Sequence, residues 1–423
     1  MSKLTISVDL DASKPLCANE GLCSPGVKLH GSGFIVSLER AKQIGLGSVP
    51  GLERHIRRYC NDRDLTYRPR GVLVIDLFGL SERKVQEMFP ALYQQVLQTV
   101  KPERDHNNRK SYRDNWWIFG EPRAEIRPTL DGLTRYIATV ETTKHRVFQF
   151  LNARILPDNR LIIFALEDAW FIGVLSSRVH VVWTLARGGT LENRPIYTKS
   201  ACFDPFPFPI GTKAQREIVR DRAEQLDAQR KEVLTAHQDL TQTGLYNVLE
   251  KLRAGDALTG KEQDIHERGL VSVMKHLHDQ IDAAVFDAYG WPRDLADEDI
   301  LARLVALNQE RRAEEAKGLV RWLRPEYQAP AAKQIVVSEQ GKLDITQVPA
   351  AAKGGARKPV LPKSLPERIT TIRGLLADQP RPAHVEELAR GFQRVPRDDV
   401  QEVLNALVAL GLARRLDDNR YAP

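Results

Sequence analysis

The run Cys202-Phe203-Asp204-Pro205-Phe206-Pro207-Phe208-Pro209 constrains this chain more than any other stretch. Prolines at alternate positions lack the amide hydrogens that a helix or a central strand needs, so the segment must run extended. Its phenylalanines then have to be buried on a surface built by other residues. The run reads as a strap that closes a folded unit, and the texture of the chain changes across it. Strands and helices alternate before it; from Thr212 onward the pattern is one of long helices.

Residues 1 to 30 hold Pro15, Pro25 and several glycines and read as a lead-in. Residues 31 to 211 read as a mixed α/β (α+β) domain. In His30-Gly31-Ser32-Gly33-Phe34 the glycines precede a strand-like run, which predicts a turn entering a strand and not a cofactor turn, since the latter should follow a strand and open a helix. Gly71 to Leu77 reads as a buried strand, and Ser81 as the cap of a helix through Val100, with Val85, Met88, Leu92 and Val96 at helical spacing. Further strands are expected at Arg135 to Glu141, Val147 to Leu151, Arg160 to Leu166 and Ala169 to Leu175. Trp116 and Trp117 read as packing residues, and Arg63 with Asp64 as a local ion pair.

Residues 212 to 328 read as an all-α region. Val219, Leu226, Val233 and Leu240 recur by heptads, but Arg222, Arg230 and His237 interrupt the companion positions, which favours a helix packed on its own domain over a coiled coil. Leu270, Met274, Leu277, Ile281 and Val285 mark a second apolar face, and Asp297 to Leu323 a further helix. His276 and His278 point to different sides of their helix and cannot share a metal. Gly255 to Lys261 imitates a phosphate-binding loop, but Glu262 stands where a Ser or Thr should bind Mg²⁺ and no strand precedes it. Residues 329 to 364 are rich in Ala, Pro, Gly and Lys and read as a flexible linker. Residues 365 to 423 read as three short helices and a hairpin, an order that resembles a winged helix. Asp398, Asp399 and Glu402 on its third helix oppose DNA contact there, which leaves protein contact, or phosphate contact by Arg414, Arg415 and Arg420.

Charge and cysteines limit the partners. Lys and Arg number 62 against 55 Asp and Glu, a formal +7, so any nucleic-acid contact has to rest on local patches. Cys17, Cys23, Cys60 and Cys202 show no metal-ligand spacing, and free thiols point to a reducing cytoplasm. No run approaches the ~18 apolar residues of a membrane span, so no membrane partner is expected.

Several uncommon runs occur in one order: Asp62-Arg63-Asp64-Leu65 with Arg68-Pro69-Arg70-Gly71, Lys101-Pro102-Glu103-Arg104-Asp105, Trp116-Trp117-Ile118-Phe119-Gly120-Glu121-Pro122-Arg123, Leu156-Pro157-Asp158-Asn159, Leu175-Ser176-Ser177-Arg178-Val179-His180, and the strap itself. In this the chain resembles the target-recognition region of MmeI-like type II restriction-modification enzymes, which are adenine methyltransferases. The resemblance implies double-stranded DNA as a partner and a methyltransferase catalytic domain or subunit as another. The catalytic half is not written here: neither the glycine-rich turn for S-adenosylmethionine nor the tetrapeptide that holds a flipped adenine is found. No catalytic residue, no metal and no cofactor is therefore assigned to this chain, with S-adenosylmethionine expected on the partner.

The family's specificity-setting stretch falls on Arg187 to Lys199. The resemblance implies base readout by Arg187, Glu192, Asn193, Arg194 and Lys199, the bland alternative being a solvated loop with Glu192 and Arg194 paired. Gly188-Gly189 allow a tight turn or a close approach to DNA. Lys144, Arg146, Arg109, Lys110, Arg113 and Arg178 are the expected contacts to the DNA backbone. Two other classes stay open, a structural adaptor of a phage-defence complex and the truncated remainder of a full-length methyltransferase. Nuclease chemistry lacks its lysine beyond Glu167.

Overall fold

Val74 and Ile75 are fully buried at the centre of a short strand, as the apolar run around them predicts. The computed structural model describes residues 8–192 and 194–329 and, further on, 368, 371–372, 375–376, 383–389, 392, 397–409, 413–416 and 420–422. Its strands are β1 (Cys23–Pro25), β2 (Ile35–Val36), β3 (Ile56–Cys60), β4 (Leu73–Ile75), β5 (Arg135–Val140), β6 (Gln149–Asn152), β7 (Leu156–Pro157) and β8 (Leu161–Phe164). They form two four-stranded sheets. One has the order β1-β8-β5-β6, antiparallel throughout, with Ile137 opposite Phe164 and Phe150. The other has the order β2-β4-β3-β7, in which only β3 and β7 run parallel.

Helices α1 (Leu38–Ile44), α2 (Asp62–Thr66), α3 (Glu82–Met88), α4 (Pro90–Thr99), α5 (Lys101–Asp105), α6 (Lys110–Asp114) and α7 (Arg127–Leu130) fill the connections of the second sheet. The single helix expected from Ser81 to Val100 is two. Ser81 does cap it, accepting the Lys84 amide at 3.4 Å. Pro90 supplies no amide to the preceding turn, so the first helix ends at Met88 and Pro90 opens a second. Gly33 has a packing reason: a Cβ there would stand 2.0 Å from the Thr99 carbonyl oxygen. Trp116 is buried and the indole of Trp117 donates to the Leu80 carbonyl at 2.9 Å.

Ala169 to Leu175 is a helix, α8 (Ala169–Ser176), and not the strand expected from its apolar run. All eight of its residues are buried, so no polar face betrays the helical period. Asp168 caps it through the Trp170 amide at 2.9 Å. A 61° bend at Ser177 leads into α9 (Arg178–Arg187). Among the described residues no single helix is long and apolar enough to cross a membrane, and this bent apolar pair lies within the core.

Then come α10 (Lys213–Ala236), α11 (Gln242–Ala254), α12 (Gly260–Arg268), α13 (Val271–Tyr289), α14 (Asp297–Ala316) and α15 (Pro325–Gln328). They share one apolar core with the first sheet, α8 and α9, so the core runs on across residue 211. Val219, Leu226 and Val233 face this core, and Gly173 of α8 admits α10 so closely that a Cβ would lie 2.4 Å from Val219 Cγ1. Arg230 is buried with them and donates to Tyr246 Oη and the Phe148 carbonyl, which is how a cation interrupts the heptad pattern without facing water. Leu270 departs from the expected face: it is exposed in a left-handed conformation before α13 begins. Gly255 to Thr259 is an interhelical loop, Gly260 and Lys261 open α12, and Glu262 in its first turn closes a capping box with Thr259. His278 is buried against Tyr246 Oη while His276 is exposed.

The strap packs as its composition requires. After a π-helical turn at Lys199–Phe203, Phe203, Phe206 and Phe208 are all buried. Asn19 of the lead-in and Asn308 of α14 donate to its carbonyls, Asn19 to those of Phe203 and Phe206 at 2.8 Å and Asn308 to that of Pro205 at 2.6 Å. Amides that prolines withhold are thus balanced by side-chain donors from both neighbours.

Residues 1–339 and 340–423 form two compact units. Apart from Ala329, the stretch expected as a linker lies outside the described residues. In the second unit, helices Val385–Ala389 and Arg397–Ala409 and an antiparallel pair of Arg414–Arg415 with Tyr421–Ala422 surround a core that includes Ile372, Leu388, Val403, Leu404 and Leu407.

Candidate nucleic-acid interface

A hairpin stands where the specificity-setting stretch was expected. Thr190–Leu191 pairs antiparallel with Arg194–Pro195, two residues after Leu191. Glu192 has φ 55°, the left-handed conformation that a two-residue hairpin turn demands. Asn193 itself lies outside the described residues. At the tip the Glu192 and Arg194 side chains, 75% and 50% exposed, form an ion pair at 2.9 Å.

The base of the hairpin is fixed. Thr143 donates its amide to Pro195 at 3.3 Å, Tyr197 to Glu141 at 2.8 Å and Ile196 to Gly189 at 2.8 Å. Gly188 allows a close approach, but to the chain's own backbone: a Cβ would lie 2.3 Å from the Ile196 oxygen and 2.6 Å from that of Thr184. Below, Tyr197 and His180 are fully buried and bonded to each other at 3.1 Å, and burial holds the imidazole well below its usual range.

Arg146, expected as a DNA-backbone contact, pins this platform. Its guanidinium donates to the carbonyls of Val140, Glu141 and Pro195 and stands 5.2 Å from the Tyr197 ring centre. Burial without a carboxylate partner pushes its pKa down to about 10. Its donors are spent on the chain's own carbonyls. Arg187 is likewise drawn inward, bonded to the Leu10 carbonyl at 2.7 Å and Asp11 at 3.1 Å and 13% exposed. Arg178 joins α9 to the start of α14 through the Leu295 carbonyl at 2.9 Å and Asp297 at 2.5 Å.

The other expected cations are on the surface but engaged. Lys144 meets Glu250 at 2.8 Å, Lys199 meets Asp204 at 2.8 Å and Lys110 meets Asp114 at 2.5 Å. Arg109 donates to Tyr112 Oη at 2.9 Å and Arg113 to the Asn107 carbonyl at 2.5 Å, both at α6. Asp64 does not pair with Arg63. Its two oxygens receive Arg70 Nε at 2.9 Å and Nη2 at 2.7 Å. Among the described residues no cluster of His, Cys, Asp or Glu could hold a metal.

Gly33 is filled against Thr99, and in the strap Asp204 is tied to Lys199 with Phe206 fully buried.

The model of the MmeI target recognition domain matches residues 12–210. That span is an MmeI-type target recognition domain. DNA methyltransferase A of Bacillus subtilis (strain 168) is 28% identical over 152 residues, 35% of this chain and 14% of the relative. A solved structure of the Type IIL restriction-modification enzyme MmeI in complex with DNA matches 71% of this chain with a TM-score of 0.53 at 17% identity. The match spans 36% of that MmeI chain, so this chain corresponds to a minor part of either relative. The shared fold extends past the target recognition domain into the helices beyond it, which agrees with the common core of the first sheet and α8 to α14.

Proposed function

We propose that this chain supplies sequence-specific DNA recognition to an adenine methyltransferase of a restriction-modification system, the transfer chemistry and S-adenosylmethionine residing on a partner domain or subunit. The observation that carries this reading is the hairpin: an exposed acceptor and an exposed donor, Glu192 and Arg194, two residues apart on a base pinned by half-buried Arg146. A carboxylate accepts from the cytosine amino group and a guanidinium donates to guanine, so one pair of side chains can address one G·C pair in the major groove. Their mutual ion pair at 2.9 Å holds both side chains ready and is weak enough, at this exposure, to be exchanged for base contacts.

Arg187, pinned to Leu10 and Asp11, acts as support for the reader, and Lys199, tied to Asp204, as a secondary contact. The second unit we read as winged-helix-like and suited to protein contact, because its helix Arg397–Ala409 begins with Asp398 and Asp399.

The test compares binding of the full chain, and methylation by the chain mixed with a catalytic partner, across duplexes varied at each base pair. A preference for one sequence that shifts in Glu192→Lys is the expected result. If Glu192 and Arg194 substitutions change only the overall level of binding, the hairpin is not the reader.

A further inference from the structure

Between β3, the loop from Tyr67 to Val72 and the C-terminal half of α10 lies an open cleft of about 520 Å³. Four cations line it, Arg58, Arg68, Arg70 and Lys231, against one carboxylate, Asp64. That carboxylate is already saturated. It is buried, takes both nitrogens of Arg70, and accepts the amides of Asn61 at 2.9 Å and Arg70 at 2.8 Å. Lys231 is tied to Asp227 at 2.5 Å. Arg58 and Arg68 remain exposed, and their guanidinium groups have no hydrogen bond or ion pair among the described residues. Beside them Tyr67 holds its ring 66% exposed.

This arrangement is built, not accidental in shape. The amides of Tyr67 and Arg68 both return to the Arg63 carbonyl, at 2.8 and 3.1 Å, and Asp64 clamps Arg70 from the other side. The loop is therefore fixed before any ligand arrives, which lowers the entropy lost on binding. Cys60 in the wall is no nucleophile, since burial pushes its thiol up to about 12. The cleft also adjoins the hairpin platform. Leu65 and Thr66 of α2 line a small cavity together with Thr143 and His145, and Thr143 bonds to Pro195 of the hairpin.

We propose that the cleft holds a phosphodiester strand of the same duplex that the hairpin reads, with Arg58 and Arg68 on phosphate oxygens and Tyr67 against a sugar. Planar guanidinium groups with unfilled donors suit phosphate, and an exposed ring beside them suits the apolar face of deoxyribose. The assignment rests on the proposed DNA recognition and supplies its backbone contact, which the sequence had placed on Lys144 and Arg146.

The test is fluorescence anisotropy of the full chain with a preferred and an unrelated duplex, between 50 and 200 mM salt, for the wild type, Arg58→Gln/Arg68→Gln and Arg194→Ala. The double variant should lose about tenfold in affinity for both duplexes alike and lower the slope of log affinity against log salt by about 2, with base preference kept. An unchanged slope, with Arg194→Ala still altering preference, overturns the cleft assignment and leaves the hairpin reading intact. Loss in the double variant of a chain that prefers no sequence upholds the cleft and overturns base reading. If the wild type binds no duplex but binds a polyglutamate peptide through the same arginines, the cleft is a protein site and both readings fall.

Discussion

Two sets of arginines within residues 12–210 are used in opposite ways. Arg146, Arg178 and Arg187 are tied to their own fold, each bonded to a carbonyl or carboxylate of a segment distant in sequence. Arg58 and Arg68 face solvent around a cleft whose only carboxylate is occupied. The difference comes from the acceptors at hand. Where the end of β5, the loop at Thr142 to Arg146 and the hairpin converge, three backbone carbonyls gather, and a guanidinium with five donors reaches all of them at once. Around the cleft the one lining carboxylate is taken by Arg70 before Arg58 and Arg68 are reached.

The strongest way to break this comparison is Arg146→Met. If Arg146 pins the platform, its loss removes the charged donor shared by the carbonyls of Val140, Glu141 and Pro195, and stability should fall by about 2–4 kcal/mol in urea unfolding. Unaltered stability together with weaker DNA binding would mean that the guanidinium faces DNA after all.

Arg194→Ala sharpens the comparison from the other side. Its side chain is half exposed and bonded only to Glu192, so unfolding should be unchanged. On the preferred duplex binding should weaken by about 1–3 kcal/mol, with discrimination relaxed at one base pair. Equal weakening on every duplex would reduce Arg194 to a phosphate contact.

Much of this fold was legible in the sequence, and the failures have physical causes. β4 and β5 followed from runs of branched residues, and the strap's burial from its alternating Pro and Phe. α8 was misread because a helix buried on all sides carries no period. The pairing of Glu192 with Arg194, which the sequence offered as the alternative to base readout, was legible because both partners lie within one short turn. The pairing of Arg146 was not, since its acceptors at Val140 and Pro195 are brought together only by the sheet and hairpin. Arg58 escaped notice because a lone arginine on a strand carries no signal. Arg68-Pro69-Arg70 did stand out, yet which of the two arginines is free depends on the reach of Asp64.

A smaller effect separates the platform's anchoring from its reading. Asp282 of α13 accepts the Arg178 amide at 2.6 Å, and burial raises its pKa to about 6. The folded protein therefore binds this proton more tightly than the unfolded chain, and the group's contribution to stability declines as pH rises from about 4 to 6. Asn at this position keeps an acceptor for the amide without the buried charge. Relative to wild type, Asp282→Asn should gain stability across that window and level off above it, by about 1–2 kcal/mol in thermal unfolding at pH 7 against pH 4. A difference that is flat with pH would show Asp282 to be no more than an ordinary exposed carboxylate.

The smallest effect bears most directly on why Arg58 and Arg68 are left free. Four cations against one carboxylate repel one another in the isolated chain, so the cleft is held together against its own field. Removing two of these charges in Arg58→Gln/Arg68→Gln should leave the fold intact and raise its stability slightly, by about 0.3 kcal/mol at low salt. Both side chains are exposed, so the gain should shrink as the Debye length falls to about 3 Å near 1 M salt. Duplex DNA should reverse the order, protecting the wild type against thermal unfolding more than the variant, because a ligand stabilises in proportion to its affinity for the folded state. A free-state gain with a bound-state loss identifies charges that serve a polyanion and not the fold. If the double variant is instead destabilised by more than about 1 kcal/mol, Arg58 and Arg68 brace the cleft as Arg146 braces the hairpin, and the contrast between the two sets disappears.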